Sequence, residues 1–75
     1  MAVMIFWKDV TGGKPKKKGV KGGAMWDQFL VNARAGHGEA YFVECNSAED
    51  GRAMIARGDC KPVPGKPNVY ANCPI

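Results

Sequence analysis

The sequence predicts a small α+β domain with the element order β-α-β-α-β-β, in which a mainly antiparallel or mixed sheet carries two short helices on one face. Three observations indicate this class. They are an N-terminal apolar run rich in β-favouring residues, two helical segments on either side of an alternating one, and two short segments around a proline–glycine turn. The 75 residues, 45% hydrophobic and 24% charged, fit a single folded domain over 1–75.

The first strand and the segment after it differ sharply in composition. Ala2 to Lys8 is a nearly continuous apolar run with β-branched and aromatic residues, which is typical of a strand. The stretch TGGKPKKKGVKGG then holds five lysines, five glycines and Pro15, a composition that disfavours both helix and strand. We therefore expect a flexible basic Gly/Lys-rich arm at about residues 9–23.

Residues 24–35 have the spacing of an amphipathic helix. At 100° per residue, five apolar side chains fall within one arc of about 140°, with the polar side chains opposite. The same stretch taken as a strand mixes apolar and polar side chains on one face, so we favour the helix and keep the strand as the alternative. The helical arc comprises Met25, Trp26, Phe29, Leu30 and Ala33.

A second strand and a second helix follow. Residues 39–46 alternate in the manner of a strand. Ser47 is the expected N-cap of the next helix, with Asp50 in the first turn and Gly58 as the C-terminal stop. Gly51 costs about 1 kcal/mol in helix propensity. We expect it to let this helix approach the sheet closely.

Two short strands complete the predicted fold. Residues 60–63 and 68–73 flank the sequence PGKP, which indicates a hairpin. Pro62 and Pro64 confine the first of these strands to a sheet edge. The resulting order of elements is similar to that of Alba-type nucleic-acid-binding domains and of the C-terminal domain of a bacterial initiation factor, a resemblance of element order alone.

The positive charge is concentrated in one segment. The net charge is +4, but residues 8–21 hold six lysines and one acid, whereas the rest of the chain has five basic and six acidic residues. Lysine is a hydrated point charge that suits phosphate contacts better than base reading. The alternative is a loop that only keeps the protein soluble. We favour contact with a partner, because repulsion between concentrated like charges lowers stability. The basic residues expected to bind are Lys8, Lys14, Lys16, Lys17, Lys18 and Lys21.

Residues able to support catalysis or bind metal are few. The one histidine, His37, and the three cysteines, Cys45, Cys60 and Cys73, lack the paired spacing of a zinc site. The lysine segment also departs from the phosphate-binding P-loop motif in spacing and in lacking its hydroxyl residue. We therefore expect core thiols, no catalytic residue, no metal and no cofactor.

The terminal sequence and the cysteines bear on location. The apolar N-terminal run has no preceding positive charges, which a secretory signal requires, and no stretch approaches the ~20 apolar residues that span a bilayer. An odd number of cysteines argues against a disulfide framework. We expect a cytoplasmic protein with free thiols and no membrane segment.

The sheet face opposite the helices is predicted to expose aromatic side chains. If Val3, Ile5 and Trp7 point inward, towards the helices, the alternation of each strand places one aromatic on the other face. Such rings stack on unpaired bases or anchor protein interfaces. The predicted exposed aromatics are Phe6, Phe42 and Tyr70.

Two functions follow from the basic segment and these aromatics. The first is a small non-enzymatic module, with a regulatory role, that binds nucleic acid through the lysines and the aromatic face. The alternative is a small inhibitor or adaptor of the kind phages and mobile elements encode. It would bind a host nucleic-acid-processing complex, such as RNA polymerase or a defence effector, by protein–protein contacts. The partner is thus nucleic acid or an acidic protein surface.

Overall fold

A computed structural model describes residues 2–20 and 26–74, except for the side chains of Val20 and Trp26. The chain is a compact α+β domain with a five-stranded mixed sheet and two helices, which confirms the predicted class. The elements in chain order are β1 (Ala2–Asp9), β2 (Gly12–Val20), α1 (Trp26–Arg34), β3 (Gly38–Cys45), α2 (Ala48–Arg57), β4 (Lys61–Pro62) and β5 (Val69–Ala71).

The strand order in the sheet is β2-β1-β3-β5-β4. β1 is antiparallel to both neighbours, β5 is parallel to β3, and β4 is antiparallel to β5. A parallel pair needs a crossover connection, and α2 lies within the one that joins β3 to β5. The strand that contains Pro62 lies at one edge, as predicted.

The lysine-rich segment forms the other edge of the sheet. The expectation that it would form neither helix nor strand is wrong for Gly12–Val20, which pairs with β1 as β2. The turn is possible because Gly12 and Gly13 adopt positive φ angles of 94° and 89°. Pro15 is tolerated because it lies on an edge strand where the register shifts. The added strand also changes the element order on which the resemblance to Alba-type domains rested.

The two helices pack on opposite faces of the sheet, so the prediction that they share one face is wrong. Phe29 and Ala33 of α1 belong to the buried cluster that contains Ile5. Met54 and Ile55 of α2 pack instead on a second cluster, formed by Phe6, Val43 and Cys45. Since neighbouring residues of a strand point to opposite faces, β1 and β3 are covered on both sides. The continuous apolar run of β1 is the sequence sign of such two-sided burial.

Both helices are confirmed, with local signals at their ends. In α1, Phe29 is buried and Val31 is 64% exposed, whereas Met25 lies outside the described residues. At the start of α2, the backbone N–H of Asp50 donates to Oγ of Ser47 at 3.1 Å, and Gly58 ends the helix with a φ of 81°. The predicted capping of α2 is therefore correct at both ends.

Two asparagines connect β5 to the rest of the fold. Asn72 Oδ1 accepts from the N–H of Glu44 at 2.7 Å, and its Nδ2 donates to the carbonyl of the same residue at 3.0 Å. This side-chain amide extends the short β3–β5 ladder. Nδ2 of Asn68 donates to the carbonyl of Ala33 at 3.0 Å, which connects the start of β5 to the last turn of α1.

Candidate functional site

Four of the predicted binding lysines lie exposed on the edge strand β2. They are Lys14, Lys16, Lys17 and Lys18; Lys8 is half-buried on β1, and Lys21 lies outside the described residues. Over residues 2–20 and 26–74, the only ion pair joins Arg57 to Asp59 at 2.7 Å. None of the four β2 lysines therefore has an acidic partner in the part of the chain that the structure describes.

β2 presents its lysines to both faces of the sheet. Lys16 is the cross-strand partner of Trp7, and Lys17 is the partner of Phe6. Because paired residues share a face, Lys16 lies on the α1 side and Lys17 on the α2 side. The charge of Lys17 partly opposes the rise that burial causes in the pKa of the Cys45 thiol, which agrees with this placement.

Two of the three aromatics that were predicted to be exposed on one sheet face are buried. Phe6 and Phe42 are both 0% exposed and belong to different clusters, one under each helix. The prediction is wrong because it left one face of the sheet bare, whereas α2 covers the face that holds Phe6. Tyr70 is the exception, since it is half-buried and stacks on Tyr41 with ring centroids 5.0 Å apart.

The tyrosine pair on the α2 side is held in its neutral form. The hydroxyl of Tyr41 donates to Oε1 of Glu39 at 3.1 Å. Burial, together with this hydrogen bond and the carboxylate charge, raises the pKa of Tyr41 well above its ordinary value. Burial also raises the pKa of Tyr70, and Glu39 adds to that rise. Both phenols remain protonated donors at neutral pH.

Trp7 is the aromatic residue at the basic edge, and the sequence prediction placed it in the core. Its indole is half-buried and tilted at 40° against Phe29, with ring centroids 5.7 Å apart. The indole Nε1–H donates to Oδ1 of Asp9 at 2.8 Å. These contacts hold the ring in one orientation at the end of β1, beside the lysines of β2.

The Trp7 ring lines two neighbouring concave regions on the α1 side of the sheet. We call them together the Trp7 groove. One is a cavity of about 160 Å³ that Lys14, Lys16 and Lys18 line together with the β1–β2 turn. The other is an open groove of about 480 Å³, and Lys18 also lines it. The residues that line the larger region are Trp7, Asp9, Lys18, Phe29, Asn32 and His37.

The charge of the Trp7 groove is positive. Three lysines line it, against the single carboxylate of Asp9, which already accepts a hydrogen bond from the indole. Two opposite charges about 4 Å apart attract each other by about 1–4 kcal/mol at the dielectric constants of water and of a protein surface. An anion at this edge is therefore favoured. A signal in the sequence was the position of Trp7 two residues before Asp9, at the end of a strand that leads into the lysine segment.

The three thiols and the histidine were the other candidates for reactive groups. Cys45 is buried, and Cys60 and Cys73 are half-buried free thiols. Burial, with a contribution from the charge of Asp59, raises the pKa of Cys60 from 9.0 to about 11, so it is a thiol at neutral pH. His37 is exposed at the rim of the Trp7 groove. Within the described residues, no group of three His, Cys, Asp or Glu side chains is placed to hold a metal ion.

Comparison with known proteins adds no functional assignment. No protein-family model, curated protein or solved structure matches the chain. Neither helix of the described residues is long and apolar enough to cross a bilayer.

Proposed function

We propose that the protein is a non-enzymatic nucleic-acid-binding module that contacts the phosphate backbone through the lysines of β2. The observation that carries this proposal is the row of exposed lysines on an edge strand, without an acidic partner among the described residues. Charges that already had partners would gain little from a phosphate. Unpaired and hydrated charges release the counterions of the nucleic acid when they bind it.

The position of β2 at the sheet edge supports a backbone contact. Lys16 and Lys17 point to opposite faces of the same edge, so phosphates on either side of this edge are within reach of one of them. Phosphate contacts of this kind give affinity and orientation without sequence information. We therefore expect affinity that depends strongly on salt and weakly on sequence.

Two other roles for these lysines are alternatives. Charged residues on an edge strand prevent it from pairing with other edges, so the lysines could serve only to keep the protein monomeric. They could also dock on an acidic surface of a protein partner, as an inhibitor or adaptor would. The three roles differ in their response to salt, to nucleases and to the loss of charge.

The test compares two variants that each lose two positive charges. The first is Lys16→Ser with Lys18→Ser on β2. The control is Arg34→Ser with Lys61→Ser, two exposed positions beside β5 and on β4, at the other side of the sheet. Binding of each variant to a single-stranded oligonucleotide is measured across a salt series, with the oligomeric state checked by size-exclusion chromatography.

The β2 variant should reduce the log–log salt slope by about 1.4, which corresponds to two phosphate contacts on a single strand. The control should leave the slope nearly unchanged. If the β2 variant self-associates but binds with the wild-type slope, the lysines only protect the edge. If wild type binds no oligonucleotide and its partner survives nuclease treatment of an extract, the partner is a protein.

We also propose a cytoplasmic location and the absence of catalytic activity. The three cysteines are free thiols, which fits a reducing compartment. Burial, with a contribution from the charge of Asp59, raises the pKa of Cys60, which makes a thiol nucleophile a poor interpretation of this surface.

A further inference from the structure

We infer that Trp7 is a base-stacking platform and that the nucleic acid bound by this protein is therefore single-stranded. This inference rests on the proposed function, since it assigns a class of nucleic acid to the same basic edge. It adds a contact to the base, which the β2 lysines cannot supply.

The indole is held from three sides. Its N–H is bonded to Asp9, and its ring packs against Phe29 beneath α1. On the third side lies Gly38 of β3: a Cβ built there would be 2.6 Å from Cζ2 of Trp7 and 2.5 Å from the carbonyl oxygen of Lys8. Only glycine leaves room for the ring at this distance. A ring that is already ordered loses little conformational entropy when a base stacks on it.

The cations lie beside the ring. Lys16 is the direct cross-strand partner of Trp7, and such pairs have Cβ atoms about 4.5–5.5 Å apart. Lys18 lines both parts of the Trp7 groove. A base on the indole therefore has its own phosphate within reach of either lysine. The larger region, about 480 Å³, falls within the roughly 300–1,000 Å³ typical of small-ligand sites.

The rim of the groove offers hydrogen-bonding groups. Asn32 of α1 is half-buried, and His37 lies in the loop before β3. A carboxamide and an imidazole can both donate to and accept from base edges. The single carboxylate in the groove, Asp9, faces the indole N–H, so its charge is partly compensated there.

An unpaired base fits this arrangement and a base pair does not. The faces of paired bases are covered by their neighbours in the duplex, whereas every unpaired base has a free face for an aromatic ring. A duplex would reach the β2 lysines through its phosphates but would leave the Trp7 ring without a partner. The inference therefore predicts a preference for single strands over duplexes of the same charge.

The experiment changes the ligand first, so that folding is not in question. Wild-type affinity is measured for oligo(dT) of about 10 nucleotides and for an abasic oligonucleotide of the same length, within the ~4–16 nucleotide range of single-strand sites. Oligo(dT) should bind about 5- to 150-fold more tightly, the equivalent of about 1–3 kcal/mol for one stacked base. The salt slopes for the two ligands should be equal.

Variants then locate the stacking ring. Trp7→Phe should reduce the advantage of oligo(dT) over the abasic strand and leave the salt slope unchanged. The control is Tyr70→Leu on the opposite face of the sheet, which should leave the advantage intact. Folding of each variant is verified by circular dichroism.

The outcomes separate this inference from the proposed function. Equal binding of oligo(dT) and the abasic strand, both with a steep salt slope, would overturn the role of Trp7 and leave backbone binding in place. Loss of the base advantage in Tyr70→Leu but not in Trp7→Phe would place stacking on the tyrosine pair instead. No binding of either strand at low salt would overturn both.

Discussion

Replacing Gly51 with alanine tests a close helix–sheet contact. Gly51 is buried in α2, and a Cβ built on it would lie 2.6 Å from Cζ of Phe6, 2.7 Å from its Cε1 and 2.9 Å from Sγ of Cys45. Ordinary carbon contacts are about 3.5–4.0 Å. Phe6 and Cys45 are each 0% exposed, so neither has free space to move into.

Two effects of opposite sign determine the stability of Gly51→Ala. Alanine is favoured over glycine inside a helix by about 1 kcal/mol. Overpacking a filled core costs about 1–3 kcal/mol, and three contacts below 3.0 Å at one atom indicate the upper part of that range. We expect a net loss of about 1–2 kcal/mol, which lowers Tm by about 4–16 °C in a domain of this size.

The assay is urea denaturation followed by circular dichroism, with Ala56→Gly as the control for propensity. Ala56 is exposed on the same helix, so its replacement should cost about 1 kcal/mol without any packing change. Gly51→Ala should also be less destabilising in a Phe6→Leu background, because the shorter side chain relieves the contact. An alanine variant as stable as wild type, or an equal cost in both backgrounds, would refute the packing argument.

Two further predictions concern the Trp7 groove and the thiols. Asp9→Asn keeps an acceptor for the indole N–H and removes the only carboxylate of the groove, so oligonucleotide affinity should rise about 2- to 5-fold. The control Glu49→Gln, exposed on α2, should leave the affinity unchanged. Unchanged or weaker binding by Asp9→Asn would count against phosphate binding in the groove. Burial raises the pKa of Cys60 from 9.0 to about 11, so the folded state binds the thiol proton more tightly than the unfolded state does. The free energy of unfolding, measured by urea titration at each pH, should therefore fall as the pH rises through that window. Cys60→Ser should show a smaller fall, and an identical fall would show that this thiol is not the cause.

Local signals in the sequence predicted the parts of the fold that depend on near neighbours. The Ser47 cap and the Gly58 stop of α2 involve hydrogen bonds within a few residues, so the residue types alone indicate them. The prolines likewise placed β4 at a sheet edge. The close approach at Gly51 was also predicted correctly, because a glycine inside a helix has few other uses.

The errors concern contacts between distant residues. β2 has a composition that disfavours a strand, yet β1 offers it an unpaired edge directly across a tight turn, and pairing to that edge overrides the local preference. The facing of β1 was equally ambiguous, because a run that is apolar on both faces does not indicate which helix covers which side. That ambiguity led to the wrong placement of Phe6 and Phe42.

The candidate site likewise has one part that the sequence predicts and one part that depends on contacts between distant residues. The lysines follow from composition, since a charge without a nearby acid in the sequence is easily recognised. The proposed role of Trp7 does not, because the setting of its ring depends on Phe29 of α1 and on Gly38 of β3, which are distant in the sequence. A single sequence shows the cluster of lysines, but it does not show that Gly38 leaves room for the Trp7 ring beside them.

Protection of the edge and binding of phosphate are compatible roles for the β2 lysines, because both require exposed charge without a partner. Edge protection alone requires only charged side chains on the strand and does not depend on an aromatic residue beside the lysines. In this fold the strand paired with β2 places an ordered, half-buried indole next to Lys16, with a concave surface open on the same side. That juxtaposition is the reason to prefer a binding edge over a merely protected one.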